Sequence, residues 1–499
     1  MKNSYKITSL FLILSSFSSC ITAQQEEIDK GLKAIFQESL LQTTGYLSST
    51  KFMGRLQGSA EYDEAARYVA LRLKECGLEP VNGKSMFHYF NDETNIIQKA
   101  KLELMNSEGL AVQSFKLGED FVCRGFTGSG NVNAEVVFCG YGVSSNDYDD
   151  YKNVDVKGKI VMVFKAAPPW KNAVGNWGDT SPRGKARLAQ KYGALAILLI
   201  NQPNDLPERA LIGSVACGDK PHLADFPMLQ IGNNVVELFL HISGNSISNL
   251  YSTIISSKSP SSFDLKTIIN LIVDAKYQAE APTANIVAKI EGSDSMLKDE
   301  YIVLGAHLDH VGYQTDELIF PGANDNASGV ASLVEIANAL KLSGIHLKRS
   351  LLFVVFSSEE SGLRGSKYFV AHSPIPVEKM VAMLNFDCVG QGDSIAIGGK
   401  LSYPNLWNLA KEKNSKDINL LSKNTFGGGG ADAEAFYKVG VPTLYFNTSG
   451  GYRYLHLPTD KTETLNPVLH EKLTKLGLLT IVELANGSYN GEKNALKKD

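Results

Sequence analysis

Three short runs of hydrophobic residues in the carboxyl-terminal half each lead into a turn with acidic or His side chains. The runs are Tyr301–Ala306, Leu351–Phe356 and Met380–Phe386. The side chains that follow them are His307, Asp309, Glu359, Glu360 and Asp387. A continuous apolar run between turn residues is typical of a buried strand in a parallel sheet. Ligands of open α/β sheets bind at the carboxyl ends of such strands, so we expect these side chains to share one site.

Two further segments add candidates to this site. Gly322–Gly329 contains Asp325 and precedes Gly329–Leu340, whose apolar spacing predicts a helix. Val441–Phe446 is predicted as another strand, and the glycine-containing loop after it carries His456. Imidazole and carboxylate groups are zinc ligands, and a catalytic zinc uses about three protein ligands. The candidate ligands His307, Asp325, Glu360, Asp387 and His456 therefore suit two metals if one carboxylate bridges them.

Each feature also has an ordinary structural explanation. Glu359 and Glu360 alone are consistent with a solvated pair that opens a helix, because acidic side chains favour helix N-termini. Asp325 and Asn326 alone are consistent with the cap of the helix Gly329–Leu340. The occurrence of all these features in order, mostly at strand ends, favours a metal site.

The same segments resemble the sequence blocks of a known family. The blocks are His307–Asp309, Gly322–Gly329, Glu359–Ser366, Asn385–Gly390 and His456–Asp460. They are similar to those of the di-zinc aminopeptidase family (metallopeptidase clan MH, family 28), over about residues 284–479. The resemblance implies an α/β fold with a mixed β-sheet between helices, and a non-proline cis peptide bond after Asp325.

The resemblance also implies a role for each site residue. His307, Asp325 and Asp387 would hold one zinc, and Asp325, Glu360 and His456 the other, so that Asp325 bridges two zincs per chain. Glu359 would be the general base. Asp309 would accept the ring N–H of His307 and fix its tautomer. Asp460 is expected either to do the same for His456 or to cap a helix, and His310 is expected to be structural.

Two other places are compared with the family. The turn Gly54-Arg55-Leu56 resembles one that precedes an early helix, Tyr62–Cys76, and we assign it no chemistry. The family usually has Ser-Asp-His near the last loop, where this chain has Ala431, Asp432 and Ala433. These positions line or support the specificity side of the cleft, so the expected ligand set is intact while the substrate preference is open.

The middle of the chain has a different pattern of hydrophobic and turn residues. Short β-rich runs separated by turn clusters extend from residue 99 to 275, and the part from Phe138 to Ile197 resembles a protease-associated domain. We predict residues 99–275 as this β-rich insertion and residues 24–98 and 276–490 as the catalytic domain. Lys276–Pro282 is predicted as a polar link. Shape and substrate access are the expected roles of the insertion.

The amino terminus predicts export. Residues 1–23 combine Lys2 and Lys6 with a short apolar stretch and small residues, which is typical of a signal peptide and too short to span a membrane. The end of this segment fits either cleavage after Ala23 or a lipid anchor at Cys20. We therefore expect a periplasmic, lipid-anchored or extracellular protein. A net charge of −4 without a basic run gives no sign of nucleic-acid binding.

The sequence thus predicts an exported zinc-dependent exopeptidase, most simply an aminopeptidase acting on peptides. The first alternative is another enzyme on the same fold, a carboxypeptidase, dipeptidase or glutaminyl cyclase. The cyclase-like members of the fold work with one zinc, which disfavours that alternative here. The second alternative is a binding protein without catalysis, like the receptor relatives of the family, but those have lost ligands that this chain retains.

Overall fold

The computed structural model describes residues 24–170, 177–205, 211–218, 221–415, 417–423 and 425–496 of the 499-residue chain. The predicted signal peptide, including Cys20, lies outside these residues, so export and the lipid anchor stay predictions. Among the described helices, none has both the length and the apolar character needed to cross a membrane.

The strands and helices are numbered here in chain order. The strands are β1 (Glu79–Pro80), β2 (Phe87–Met105), β3 (Ala111–Phe115), β4 (Phe121–Cys123), β5 (Gly130–Phe138), β6 (Ile160–Phe164), β7 (Ala196–Ile200), β8 (Met228–Ile231), β9 (Phe263–Ile290), β10 (Tyr301–His307), β11 (Tyr313–Gln314), β12 (Leu318–Ile319), β13 (Ser350–Phe356), β14 (Met380–Phe386), β15 (Ser394–Gly398) and β16 (Thr443–Ser449). The helices are α1 (24–34), α2 (Gln37–Leu47), α3 (Ala60–Glu75), α4 (Pro182–Lys191), α5 (Asn233–Ile242), α6 (Ile247–Ser257), α7 (Gly329–Ser343), α8 (Arg364–Ala371), α9 (Pro404–Glu412), α10 (Ala433–Lys438) and α11 (Pro467–Asn486).

The carboxyl-terminal sheet is mixed, with strand order β15-β16-β14-β10-β13-β9. Strand β10 is parallel to both β13 and β14, and β14 is parallel to β16. The two outer partners, β15 and β9, run antiparallel to their neighbours. Four parallel strands therefore end at one edge, which is where the sequence predicts the site.

Helices cover both faces of this sheet, and β13 shows why its sequence is apolar throughout. Leu351, Phe353 and Val355 pack into a core that includes residues of α2, α3, α7 and α11. The alternate residues Leu352, Val354 and Phe356 pack into a second core with residues of α8 and α10. Side chains of a strand alternate between faces, so a strand with two buried faces needs a continuous apolar run. The predicted mixed sheet between helices is confirmed.

The β-rich insertion continues the same hydrogen-bonded sheet in the order β9-β5-β6-β7-β8-β4. Strands β5 to β8 are parallel in sequence order, and β9 and β4 run antiparallel to their neighbours. A separate hydrophobic core fills this part of the molecule.

Lys276–Pro282 is not a link between domains as predicted, because it lies inside the single long strand β9. Most of its side chains are exposed or half-exposed, which explains the polar composition. Its backbone pairs with β2, for example Thr94 with Gln278 and Asp92 with Ala281. Backbone pairing does not depend on side-chain polarity, so composition did not reveal the strand. Strands β2 and β9 run across the predicted domain boundaries at 99 and 275, so no end of a strand or helix marks either position. The two boundaries stay predictions.

Other elements lie close to their predicted positions. The helix predicted at Tyr62–Cys76 is α3, which begins two residues earlier because the Ser59 hydroxyl accepts the N–H of Tyr62 at 3.1 Å. The helix predicted at Gly329–Leu340 is α7 and continues to Ser343. The strand predicted at Val441–Phe446 is β16, displaced toward the carboxyl terminus.

Candidate metal centre

The ends of three adjacent parallel strands supply the first part of the centre. His307 is the last residue of β10, and Asp387 directly follows β14. Glu359 and Glu360 lie in the turn between β13 and α8. Each strand ends where its apolar run ends, so the polar side chains emerge together at one sheet edge.

Asp325 lies at the middle of the centre, in the turn that precedes α7. Its Oδ1 is 3.3 Å from Nε2 of His307, and its Oδ2 is 3.2 Å from Nε2 of His456. His307 Nε2 is also 3.4 Å from Asp387 Oδ1, whereas His456 Nε2 is 2.9 Å from Glu360 Oε2. The two oxygens of one carboxylate therefore face two separate sets of imidazole and carboxylate atoms.

The donor atoms in these sets are close enough to hold metal ions. Within each of three groups, the potential ligand atoms lie no more than 4.8 Å apart. The first group is His310, Asp325, Glu360 and His456, the second is His307, Glu359 and Asp387, and the third is Asp325, Asp387 and Cys388. Nitrogen and oxygen donors of this kind suit zinc. The five predicted ligands are thus brought together, and the donor set fits zinc.

The peptide bond between Asp325 and Asn326 is cis, as predicted. Asn326 stabilises the turn on both sides. Its Oδ1 accepts the N–H of Gly329 at the start of α7, and its Nδ2 donates to the carbonyl of Phe386 at the end of β14, each at 2.9 Å. These bonds fix the backbone of Asp325 relative to the strand that carries Asp387.

Asp309 has a different partner from the one predicted. The ring Nδ1 of His307 is 3.1 Å from the backbone carbonyl of Asp309 but 3.8 Å from its carboxylate, so the carbonyl is the hydrogen-bond acceptor. The carboxylate instead accepts the backbone N–H groups of Glu359 at 3.1 Å and Glu360 at 3.2 Å. Asp309 therefore holds the turn with both glutamates, and burial raises its pKa to about 7.

Asp460 matches neither of its two expected roles. Its carboxylate accepts the backbone N–H groups of Asn324 and Asp325, each at 3.0 Å, and the Nε2 amide of Gln391 at 3.1 Å. Asp460 thus fixes the turn that carries Asp325 and makes no contact with the His456 ring at hydrogen-bond distance.

His310 belongs to the centre although the sequence favoured a structural role. Its Nδ1 is 3.0 Å from Oε1 of Glu360 and 3.5 Å from Oδ2 of Asp325. The ring is fully buried and lies edge-on to His456, with 5.5 Å between centroids. The only signal in the sequence was its position directly after the His307–Asp309 block.

Arg55, to which we assigned no chemistry, is a fully buried cation beneath the centre. It donates to the carbonyls of Leu308 at 2.7 Å and of Gly322 at 2.8 Å, and to those of Leu47 and Pro321, each at 2.8 Å. One guanidinium therefore ties the segment after β10 to the turn before Asp325. The isolated Gly54-Arg55 turn gave no sign of these distant partners.

Glu359 lies beside His307 and Asp387 and does not belong to the group of potential ligands that contains His456. Burial raises the pKa of its carboxyl well above the usual range, and the nearby carboxylates Glu360, Asp432 and Asp387 add to this effect while His307 opposes it. A carboxyl group with a raised pKa is better matched to proton transfer near neutral pH.

Two neighbours complete this side of the centre. The hydroxyl of Tyr445 donates to Oδ2 of Asp387 at 2.8 Å, so Asp387 presents its other oxygen to His307. Asp432, retained between the unusual Ala431 and Ala433, is fully buried. Burial raises its pKa to about 7.

Family models match both parts of the chain. Residues 285–480 match the model of peptidase family M28, and residues 132–238 match that of the PA domain. The carboxyl-terminal part of the chain is a family M28 peptidase domain, and the middle part contains a PA domain. Both matches lie inside the segments predicted as catalytic domain and insertion.

Similar proteins agree with this assignment. The M28 peptidase is 26% identical to a probable leucine aminopeptidase 2 of Aspergillus oryzae, over 78% of this chain and 68% of that protein. It is 22% identical to aminopeptidase YwaD of Bacillus subtilis, over 72% and 69% of the two chains. The solved structure of an M28 peptidase precursor from Shewanella amazonensis superposes with a TM-score of 0.66 at 17% identity, over 95% of this chain and 99% of that one. At that identity the superposition establishes the shared fold.

Proposed function

We propose that this M28 peptidase is a zinc-dependent aminopeptidase that removes N-terminal residues from peptides. The observation that carries the proposal is the position of Asp325, whose two oxygens face His307 and His456 at 3.3 and 3.2 Å. A carboxylate between two sets of ligands is what a hydrolytic two-metal site requires, and Asp325 would contact both metals there. The names of the relatives, a probable leucine aminopeptidase and an aminopeptidase, support the same activity.

The residues present fit two zincs. His307 and Asp387 would hold one, Glu360 and His456 the other, and Asp325 would contact both. Bound zinc supplies Lewis-acid polarisation of the scissile carbonyl and acidifies a water molecule. Tyr445 and Asp309 keep the ligands and the glutamate turn in position through the hydrogen bonds described above.

Glu359 moves the proton in this proposal. Its carboxylate accepts a proton from the attacking water and then returns it to the amine that leaves when the peptide bond breaks. The raised pKa of Glu359 makes its carboxylate a stronger base for the first of these steps. Its backbone N–H is held by Asp309, so the carboxylate stays beside the reacting atoms.

A panel of reporter peptides tests the proposal. We expect hydrolysis of substrates with a free α-amino group and none of the same substrates after N-acetylation. A chelator should abolish the activity, and added zinc should restore it. Release of residues from the carboxyl terminus of N-blocked peptides would favour the carboxypeptidase alternative. Formation of pyroglutamate would favour a cyclase, and no turnover with zinc bound would favour a binding protein.

His310 is expected to strengthen metal binding by orienting Glu360. Outer residues that orient a ligand typically contribute about 10–100-fold in metal affinity. Because Nδ1 of His310 lies 3.0 Å from Oε1 of Glu360, His310→Ala should lower zinc affinity by about that range. Competition with a chromophoric chelator measures the affinity, and His346→Ala, at an exposed position, is the control. Unchanged affinity in His310→Ala would remove this role.

A further inference from the structure

A large cavity lies between the PA domain and the metal centre. Its volume is about 770 Å³, and Glu360 and His456 form part of its wall. The rest of the lining comes from residues 124–126, 165–166, 179–187 and 212–218, all within the predicted insertion. A substrate bound at the metal centre would therefore have part of its surface in contact with the PA domain.

The cavity wall contributed by the predicted insertion is strongly cationic. Its charged residues are Arg124, Lys165, Asp179, Arg183 and Arg187. Four cations thus face one acid, although the whole chain has a net charge of −4. Apolar groups from Phe126, Ile212 and Val215 lie between them. Charges next to apolar walls interact more strongly with a bound ion than they would in water.

Arg124 is held beside the metal-centre loop. Its Nη1 donates to the carbonyl of Ile212 at 3.1 Å and to Oε1 of Gln230 at 2.8 Å. The next residue, Gly213, donates its N–H to the carbonyl of His456 at 2.8 Å. A Cβ at Gly213 would come within 2.7 Å of the Val311 side chain, so the close contact with the catalytic domain requires glycine there. The guanidinium is therefore fixed near His456.

Two of the arginines retain buried donors that are not used. Within the described part of the chain, Nε of Arg124 and Nη1 of Arg187 are buried and lack hydrogen-bond partners. Nη2 of Arg187 contacts Asp179 at 3.3 Å, so the group is oriented but incompletely satisfied. Leaving a buried charged donor unpaired is costly, and a bound anion would satisfy it. Arg183, in contrast, donates to the carbonyl of Cys217 and faces Glu93.

We propose that this cavity binds a carboxylate of the peptide substrate, either the free carboxyl terminus of a short peptide or an acidic side chain. Guanidinium groups match carboxylates in shape and charge, and such pairs are stronger than neutral hydrogen bonds. The inference rests on the proposed peptidase function and adds a substrate class to it. The preferred substrates are peptides whose amino end lies at the metal centre and whose free carboxyl terminus or acidic side chain reaches the cavity.

Three substrates distinguish the two sources of the carboxylate: leucyl-alanine, leucyl-alanine amide, and leucyl-glutamic acid with its α-carboxyl amidated. If the carboxyl terminus is recognised, kcat/KM for leucyl-alanine should exceed that for its amide by about tenfold or more. If a side chain is recognised, the glutamyl amide should exceed leucyl-alanine amide by a similar factor. Equal kcat/KM values for all three would overturn the inference while leaving the aminopeptidase proposal intact. No hydrolysis of any of them would overturn both.

Substitutions of the cavity arginines test whether the preference for carboxylate substrates arises in this cavity. Arg124→Gln and Arg187→Gln should each lower the ratio of kcat/KM between carboxylate and amide substrates toward one. Lys191→Gln is the matched control, because Lys191 is an exposed cation on the same helix, α4, as Arg187. If Arg124→Gln does not fold, Arg187→Gln, at a half-buried position, still decides the matter. An unchanged ratio in folded Arg187→Gln and Arg124→Gln would refute binding in this cavity.

Discussion

Glu359→Gln is expected to lower kcat by about 10²–10⁴-fold, the usual effect of removing a general base. Glutamine keeps the size and shape of the side chain but cannot accept the proton of the attacking water. The turn should keep its conformation, because Asp309 holds it through the backbone N–H groups of Glu359 and Glu360. Zinc content should stay near that of the unmodified protein, since Glu360 is the proposed ligand in this turn.

Steady-state kinetics and metal analysis on the same preparations separate proton transfer from metal binding. Glu360→Gln should lose zinc together with activity, because its carboxylate lies 2.9 Å from Nε2 of His456. Glu378→Gln, an exposed change of the same kind, should alter neither property. Hydrolysis by Glu359→Gln at the rate of the unmodified enzyme would show that another group is the base. Loss of zinc in Glu359→Gln would make Glu359 a ligand instead.

Asp325→Asn is expected to disturb both metal positions at once. Its two oxygens face His307 and His456, so replacing one oxygen by an amide removes a negative charge from both donor groups. Mutating a residue that only orients a metal ligand typically lowers metal affinity by about 10–100-fold. Asp325 is itself a proposed ligand, so its substitution should lower zinc affinity by more than that. His307→Ala, in contrast, should mainly empty the position that it shares with Asp387.

Zinc titration followed by quantitative metal analysis tests the bridging role. The unmodified protein should retain about two zincs per chain, the number that a two-metal hydrolytic site requires. Asp316→Asn is the control, because it makes the same chemical change at an exposed position. Full occupancy of both positions in Asp325→Asn, with unchanged affinity, would end the bridging assignment.

The hydrophobic pattern and the motifs determined much of the catalytic part. The apolar runs before His307, Glu359 and Asp387 predicted β10, β13 and β14 closely, because strands buried on both faces must be continuously apolar. Parallel strands end at one sheet edge, so the order of the motifs was enough to bring the predicted ligands together. The cis peptide bond after Asp325 was predicted from the family resemblance, because hydrophobic periodicity does not encode it.

Contacts between distant segments were decided by the tertiary structure alone. Arg55 binds carbonyls more than 250 positions away, and carbonyl acceptors carry no side-chain signal in a sequence. Asp309 and Asp460 bind backbone N–H groups, which also carry no side-chain signal in a sequence. Their partners were therefore predicted wrongly, although their place in the centre was predicted correctly. The continuity of β9 also depends on backbone pairing.

The sequence by itself therefore placed the five predicted ligands and Glu359 at one edge of the sheet, because local strand patterns and ordered motifs encode their positions. The tertiary structure decided what surrounds that centre. The cationic cavity wall became visible only when the loop around Gly213 was placed against His456. That placement arises from packing between two parts of the molecule, and the free energy of such packing is spread over contacts that no single segment of the sequence contains.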